Sequence, residues 1–178
     1  MAYKLIKYLL LFLLTTILQS TVAAILSIWG IKPDLLLLLL FYISLKEGPI
    51  WGAGWGFVFG FTIDSAYAPL QLGIGSFSKV CFGFLAGNWG DKIYLETPQS
   101  KGLFLFSLVT IHDILRYGMG KLGNPGLAFW YPLLTKTLPT AAYTAILGTI
   151  VYWLIKRQTE KGYIIGSLRG KGETERGI

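Results

Sequence analysis

The stretch GPIWGAGWGFVFGFTID, residues 48–64, holds five glycines, two tryptophans and no charge before its final aspartate. As a helix in water it is poor material, because each interior glycine costs about 0.5–1 kcal/mol relative to alanine. In lipid the same residues read differently. Gly52, Gly56 and Gly60 recur every four residues and so line one face of a helix. Small residues at that spacing let two helix backbones approach closely, and packing drives helix association where no hydrophobic effect operates.

The rest of the chain decides which solvent applies. Of 178 residues, 53% are hydrophobic and 14% charged, against about 25% charged in soluble domains. Nine acids and sixteen bases cannot cover a globule of this size, and the apolar residues come in long blocks rather than amphipathic stripes. The composition predicts an all-α integral membrane protein. A net charge of +7 does not point to nucleic acid, because the bases sit at the ends of apolar segments instead of among exposed aromatics. The single cysteine, Cys81, lies inside an apolar run. It excludes a disulfide framework or thiolate metal site and reads as a small buried side chain.

Punctuation separates six apolar segments: 5–29, 33–47, 48–66, 72–89, 102–117 and 133–155. Residues 1–24 also carry the parts of a signal peptide, with Lys4 and Lys7 before a leucine-rich run and small residues at Val22, Ala23 and Ala24. The apolar run continues to Trp29, however, and reads as an uncleaved first span. Pro33 opens the second segment at its first turn, where a missing N–H costs no hydrogen bond. That segment is about 15 residues or about 22 Å long, short of a hydrocarbon core of about 30 Å. It therefore tilts little, thins the bilayer, or forms a re-entrant hairpin with the third; each returns the chain to the side it left.

Basic residues then set the orientation. With the N-terminus cytoplasmic, the inner side receives Lys4, Lys7, Lys46, Lys92, Lys101, Lys156, Arg157, Lys161, Arg169, Lys171 and Arg176, and the outer side only Lys32, Lys121 and Arg116. This asymmetry predicts six transmembrane helices with both termini cytoplasmic. Trp29 and Trp130 fall at the outer interface, and Trp51, Trp89 and Trp153 at the inner one. Residues 1–155 form the membrane domain. The tail, 156–178, is basic and glycine-rich, and is expected to be disordered and close to anionic headgroups.

Gly83 and Gly87 repeat the four-residue spacing on the fourth segment. The glycine faces serve a tight crossing of segments three and four, docking with another protein's helix, or both. Five ionisable residues interrupt apolar segments: Asp64, Lys79, His112, Asp113 and Lys136. The topology puts all five in the outer half of the bilayer, with Arg116 on roughly the face of Asp113. Charges at such depth cost a few kcal/mol and normally face the bundle interior and pair. Three readings stay open: an ion-pair network locking segments three to six, an outward groove for a partner protein, or a small anionic ligand held by Lys79 and Lys136. No catalytic set is visible: HExxH, GxSxG and a phosphate loop are all missing. Adjacent helical residues point about 100° apart, so His112 and Asp113 are not expected to form a dyad facing one substrate atom. No metal site and no cofactor are expected.

Three elements in order carry a family resemblance: KPDLLLLLL at 32–40, GWGFVFGFTID at 54–64 and PLQLGIGSFSKVCFGFLAG at 69–87. Together they resemble the MreD family of bacterial rod shape-determining proteins. Its pattern is a Pro-Asp-Leu opening, a GF-x-x-G-x-x-x-D helix, a Leu-Gly turn, and a helix with a lysine that ends G-x-x-x-G. Pro33 and Asp34 match the opening, and Gly56, Phe57, Gly60 and Asp64 the second element. Leu72, Gly73, Lys79, Gly83 and Gly87 match the rest. The resemblance is strongest over residues 32–90 and supplies no counterpart for His112, Asp113 or the tail.

It implies a non-enzymatic, multi-pass component of the bacterial inner membrane. Its partners would be MreC, a single-pass protein with an extracytoplasmic domain, together with MreB filaments, the glycosyltransferase RodA and a class B penicillin-binding protein. These direct peptidoglycan synthesis along the side wall. A second class is similar in size and layout. The S components of energy-coupling-factor transporters are compact six-helix bundles with a vitamin site in the outer half of the membrane, where Lys79, Lys136 and the aspartates are expected here.

Overall fold

Helix ends in this chain fall where short-range chemistry puts them. The computed structural model describes residues 2–25, 27, 31–67, 73–90, 97–123 and 130–154. Trp29, Leu72, Lys92 and the 156–178 tail lie outside the described residues. Six helices account for nearly all of the rest: α1 (Ala2–Ile25), α2 (Leu35–Glu47), α3 (Pro49–Tyr67), α4 (Ile74–Gly90), α5 (Pro98–Gly123) and α6 (Trp130–Leu154).

Asp34, not Pro33, starts α2. Its extended backbone and Oδ1, which accepts from the Leu37 N–H at 3.0 Å, make it the N-cap, so Pro33 stands outside the first turn. Gly48 ends α2 with φ +92°, a conformation that suits glycine, and its N–H donates to the Ser44 carbonyl at 3.0 Å. Pro49 follows at once as the first residue of α3, where its fixed φ is an advantage. The two helices thus reverse direction across one residue.

α3 and α4 run antiparallel in a seam with almost no side chains in it. A Cβ added at Gly52 would strike the Gly83 carbonyl, and one at Gly83 would strike Gly52 in return. One turn along, Gly56 lies against the Lys79 carbonyl; one further, Gly60 lies against the Ser76 Cα. At the other end Gly87 touches the Pro49 backbone. Each step of about four residues up α3 meets a step of about four down α4, which is the register two glycine-lined faces need. Trp55 and Phe59, on another face of α3, are buried against α1. Tyr8 meets Trp55 edge-on with centroids 6.0 Å apart, and Phe12 stacks on Phe59 at 4.5 Å. Phe57 and Phe61 remain exposed.

The remaining helices enclose this pair. α2 packs on both α3 and α4, α5 packs on α4, and α1 rests on α2. Lys4 and Tyr8 of α1 grip the Glu47 carboxylate at the end of α2, each at 2.7 Å. α6 leaves the α register over Leu133–Thr137, where a π turn closes with the Leu138 N–H donating to the Leu133 carbonyl. Pro139 lies just beyond it; without an N–H, and needing room at the carbonyl four residues back, it disfavours an unbroken α ladder.

The bundle is apolar outside, and within its largely apolar core it buries several polar and charged side chains. Leu9, Leu10, Leu13, Ile17, Phe84 and Ile150 are exposed while Asp64, Lys79, His112 and Thr144 are buried. That distribution suits lipid. By length and composition α1 over Tyr3–Thr21 and α6 over Trp130–Leu154 are each apolar enough to cross a bilayer. α2, with 13 residues, is about 20 Å long, shorter than a hydrocarbon core of about 30 Å.

Gly56→Val should lower thermal stability in detergent by about 1–3 kcal/mol, since the added branch meets the Lys79 backbone. Gly54, on an open face of the same helix, has nothing within 4 Å of an added Cβ. Gly54→Ala should leave stability unchanged or raise it by up to about 1 kcal/mol. Equal effects at the two positions would contradict the seam.

Candidate functional site

Among the described residues eight polar or charged side chains are buried in the bundle: Ser44, Asp64, Ser76, Ser78, Lys79, His112, Thr137 and Thr144. Two of them only serve their own helices, Ser44 donating to the Leu40 carbonyl and Ser78 to that of Gly75. The others gather near the start of α2, the α3–α4 turn and the middle of α5.

The segment before α2 is held inside by a clamp. Gln19 of α1 donates through Nε2 to the Pro33 carbonyl at 3.1 Å and accepts through Oε1 from the Leu35 N–H at 2.8 Å. From the other side the Thr144 hydroxyl of α6 accepts from the Asp34 N–H at 3.0 Å. Three backbone groups that lipid would leave unsatisfied are thereby paired. Pro33 is buried as a result, and the Asp34 carboxylate is carried into the interior.

Asp64 joins α3 to α4 through one oxygen. Its Oδ2 accepts from the Gly73 N–H at 3.1 Å, the Ser76 N–H at 2.9 Å and the Ser76 hydroxyl at 3.1 Å. It acts as an N-cap supplied from the neighbouring helix, with its negative charge at the positive end of the α4 dipole. Gly73, at φ +99°, turns the chain into reach, and a side chain at Gly75 would collide with the carboxylate.

Lys79 is 4% exposed and its backbone lies in the seam at Gly56. Among the described residues no carboxylate lies within ion-pairing distance of its ammonium. The charges that act on it most are those of Asp34 and Arg116, followed by Asp64 and Asp113. His112, 2% exposed, packs edge-on against Phe82 at 6.2 Å and bonds through Nδ1 to Asp113 Oδ1 at 2.9 Å. Adjacent residues on the helix do meet, because the carboxylate bends back along the surface to the near ring nitrogen. The far one, Nε2, is buried without a partner among the described residues, as is the Thr137 hydroxyl on the π turn.

Asp64, Lys79, His112 and Asp113 therefore share one polar region, with Asp34 as a member that the sequence marked only as part of a motif. Lys136 does not join them: it is exposed on the π turn, with no charge acting from it on Lys79 or His112. Arg116 is also exposed. Gln19 and Thr144 were missed; a lone amide in a run of leucines was the available signal for the first. The five packing glycines all lie in the seam, which also uses Gly75 and Ser76.

A double-mutant cycle tests the coupling. Asp34→Asn keeps an N-cap acceptor and removes the charge, so with Lys79→Ala it should show an interaction of about 0.5–3 kcal/mol in thermal unfolding. Additivity would contradict it. Asp64→Ala should cost about 0.5–2 kcal/mol and Asp64→Asn much less; equal losses would place the stabilisation elsewhere.

Comparison with known proteins gives a family. The family model described as rod shape-determining protein MreD matches residues 2–161, which takes in all six helices and every residue of the polar region. No curated protein and no solved structure gives a significant match. With nine-tenths of the chain covered, the Gly56–Asp64 and Lys79–Gly87 elements in place and an apolar exterior around them, the chain belongs to the MreD family, membrane proteins of the rod cell-shape system.

Proposed function

We propose that this protein is a non-enzymatic scaffold of the bacterial inner membrane that binds an MreC-like single-pass protein and supports side-wall peptidoglycan synthesis. It does so with MreB, RodA and a class B penicillin-binding protein. The family match over residues 2–161 carries this reading. The geometry supports it in two ways. Nearly all the described mass is helix, and α1 rests on the bundle by one face while Leu5, Ile6, Leu9, Leu13 and Ile17 stay exposed, a surface suited to a partner helix.

Six spans with both termini cytoplasmic remain the topology we favour. Lys4, Lys46 and Lys101 gather at one end of the bundle and Lys121 stands at the other, as a positive-inside orientation asks. The basic tail would then lie along the inner leaflet. The polar region works here as a specificity device: buried Lys79 and half-buried Asp34 fix how the helices register and so which outer surface is offered to the partner.

A second reading has a specific observation behind it. His112 Nε2 and the Thr137 hydroxyl are buried and, among the described residues, without a partner, which an S-component-like protein would use to hold a small ligand. Purification from the native membrane in mild detergent separates the two. A stoichiometric single-pass protein with an extracytoplasmic domain is the expected companion. A bound small molecule, or an ATPase module with its membrane subunit, would move the assignment to vitamin transport.

A further inference from the structure

A crevice between α2, α5 and α6 opens at the end of the bundle away from the polar region and plays no part in it. It encloses about 310 Å³, at the lower end of the range of about 300–1,000 Å³ found for small-molecule sites. Its wall is apolar: Phe41 and Leu45 from α2, Leu105 from α5 and Val151 from α6. Gly148 lets α6 pack directly on Leu38 and Leu105 at one side of it, since a Cβ there would press on both.

The rim is of the opposite character. Lys46, in the last turn of α2, and Lys101, near the start of α5, both line the crevice. Each is set beside a tyrosine. Lys101 Nζ sits 3.6 Å from the Tyr152 ring centroid, and Lys46 Nζ lies 3.4 Å from the Tyr42 hydroxyl. Among the described residues no acidic side chain lines the crevice, and neither lysine forms an ion pair. Glu47, next to Lys46, is engaged by Lys4 and Tyr8 of α1, and Glu96, the acid nearest to Lys101 in sequence, lies outside the described residues. An apolar slot ending in two cations that have no acidic partner among the described residues, each beside an amphipathic ring, is complementary to one class of molecule, a lipid with an anionic head.

We infer that this crevice is a binding site for an anionic phospholipid, with an acyl chain along the Phe41–Val151 wall and the phosphate between Lys46 and Lys101. A cationic pocket between helices at the membrane face selects such headgroups over zwitterionic ones by charge. The site is independent of any protein partner and of the Lys79 region.

The test is lipid retention by the full-length protein in mild detergent, read by native mass spectrometry with phosphatidylglycerol and phosphatidylcholine of identical chains. The wild type should retain phosphatidylglycerol about tenfold better, and Lys46→Gln with Lys101→Gln should bring the ratio near one. Lys121→Gln, at the opposite end, should leave it unchanged. Val151→Trp adds bulk at an exposed position of the wall and should reduce phosphatidylglycerol retention at unchanged thermal stability, a readout that stands even if the lysine variant folds poorly. Equal retention of the two lipids by the wild type, or a preference that survives both sets of substitutions, overturns the site. So does a photoreactive residue at 151 that crosslinks in native membranes to another protein's helix or a second copy instead of lipid.

Discussion

Between α3 and α4 the backbones themselves touch, because at each crossing position at least one helix has no side chain to hold them apart. In water this would be a weak arrangement, since glycine makes a poor helix and buries little apolar area. In lipid the balance changes. Every backbone group is already bonded within its helix, and what remains to be gained is contact between surfaces that fit. Two faces of glycine and serine fit over about three turns, from Pro49 against Gly87 to Gly60 against Ser76.

The polar interior follows from that closeness. Only with Gly60 against Ser76 does Asp64 come within hydrogen-bonding reach of the α4 amides, and only with Gly56 bare does the Lys79 backbone lie flush on α3. Asp64 then serves mainly as a cap for α4, while Asp34 is a second carboxylate whose field reaches Lys79. Asp34 reaches the interior because Gln19 and Thr144 satisfy the backbone on either side of it. Helices α1, α2, α4 and α6 are thus tied into one region by residues whose removal would leave unpaired polar groups in an apolar medium. Such an interior fixes one arrangement of helices, and with it the surface shown to other membrane proteins.

Much of this was legible in the sequence, and the parts that were not share a cause. Gly48, Pro49 and the four-residue glycine spacing mark the α3 boundaries and its packing face directly, because backbone conformation and helix period are local properties. α5 is longer than its apolar run at both ends, 98–123 against 102–117, because its end turns are polar and hydropathy does not register them. Asp34 appears at a segment boundary, and nothing local says that the boundary is folded inward; that depends on Gln19, fifteen residues earlier, and Thr144, far later. The grouping of Lys136 with Lys79 rested on depth alone. Depth says nothing of which face of α6 a residue occupies, and the π turn at Leu133–Thr137 alters that face.

The account stands on α3 and α4 behaving as one rigid unit that orders the rest. Hydrogen–deuterium exchange of the purified protein in detergent measures this most directly, since local opening energies differ between cooperative units of a fold. The amides of α3 and α4 should exchange together and more slowly than all others, with α1, packed by a single face, exchanging well before them. Exchange of α3 and α4 at clearly different rates, or α1 as the most protected helix, would contradict the account.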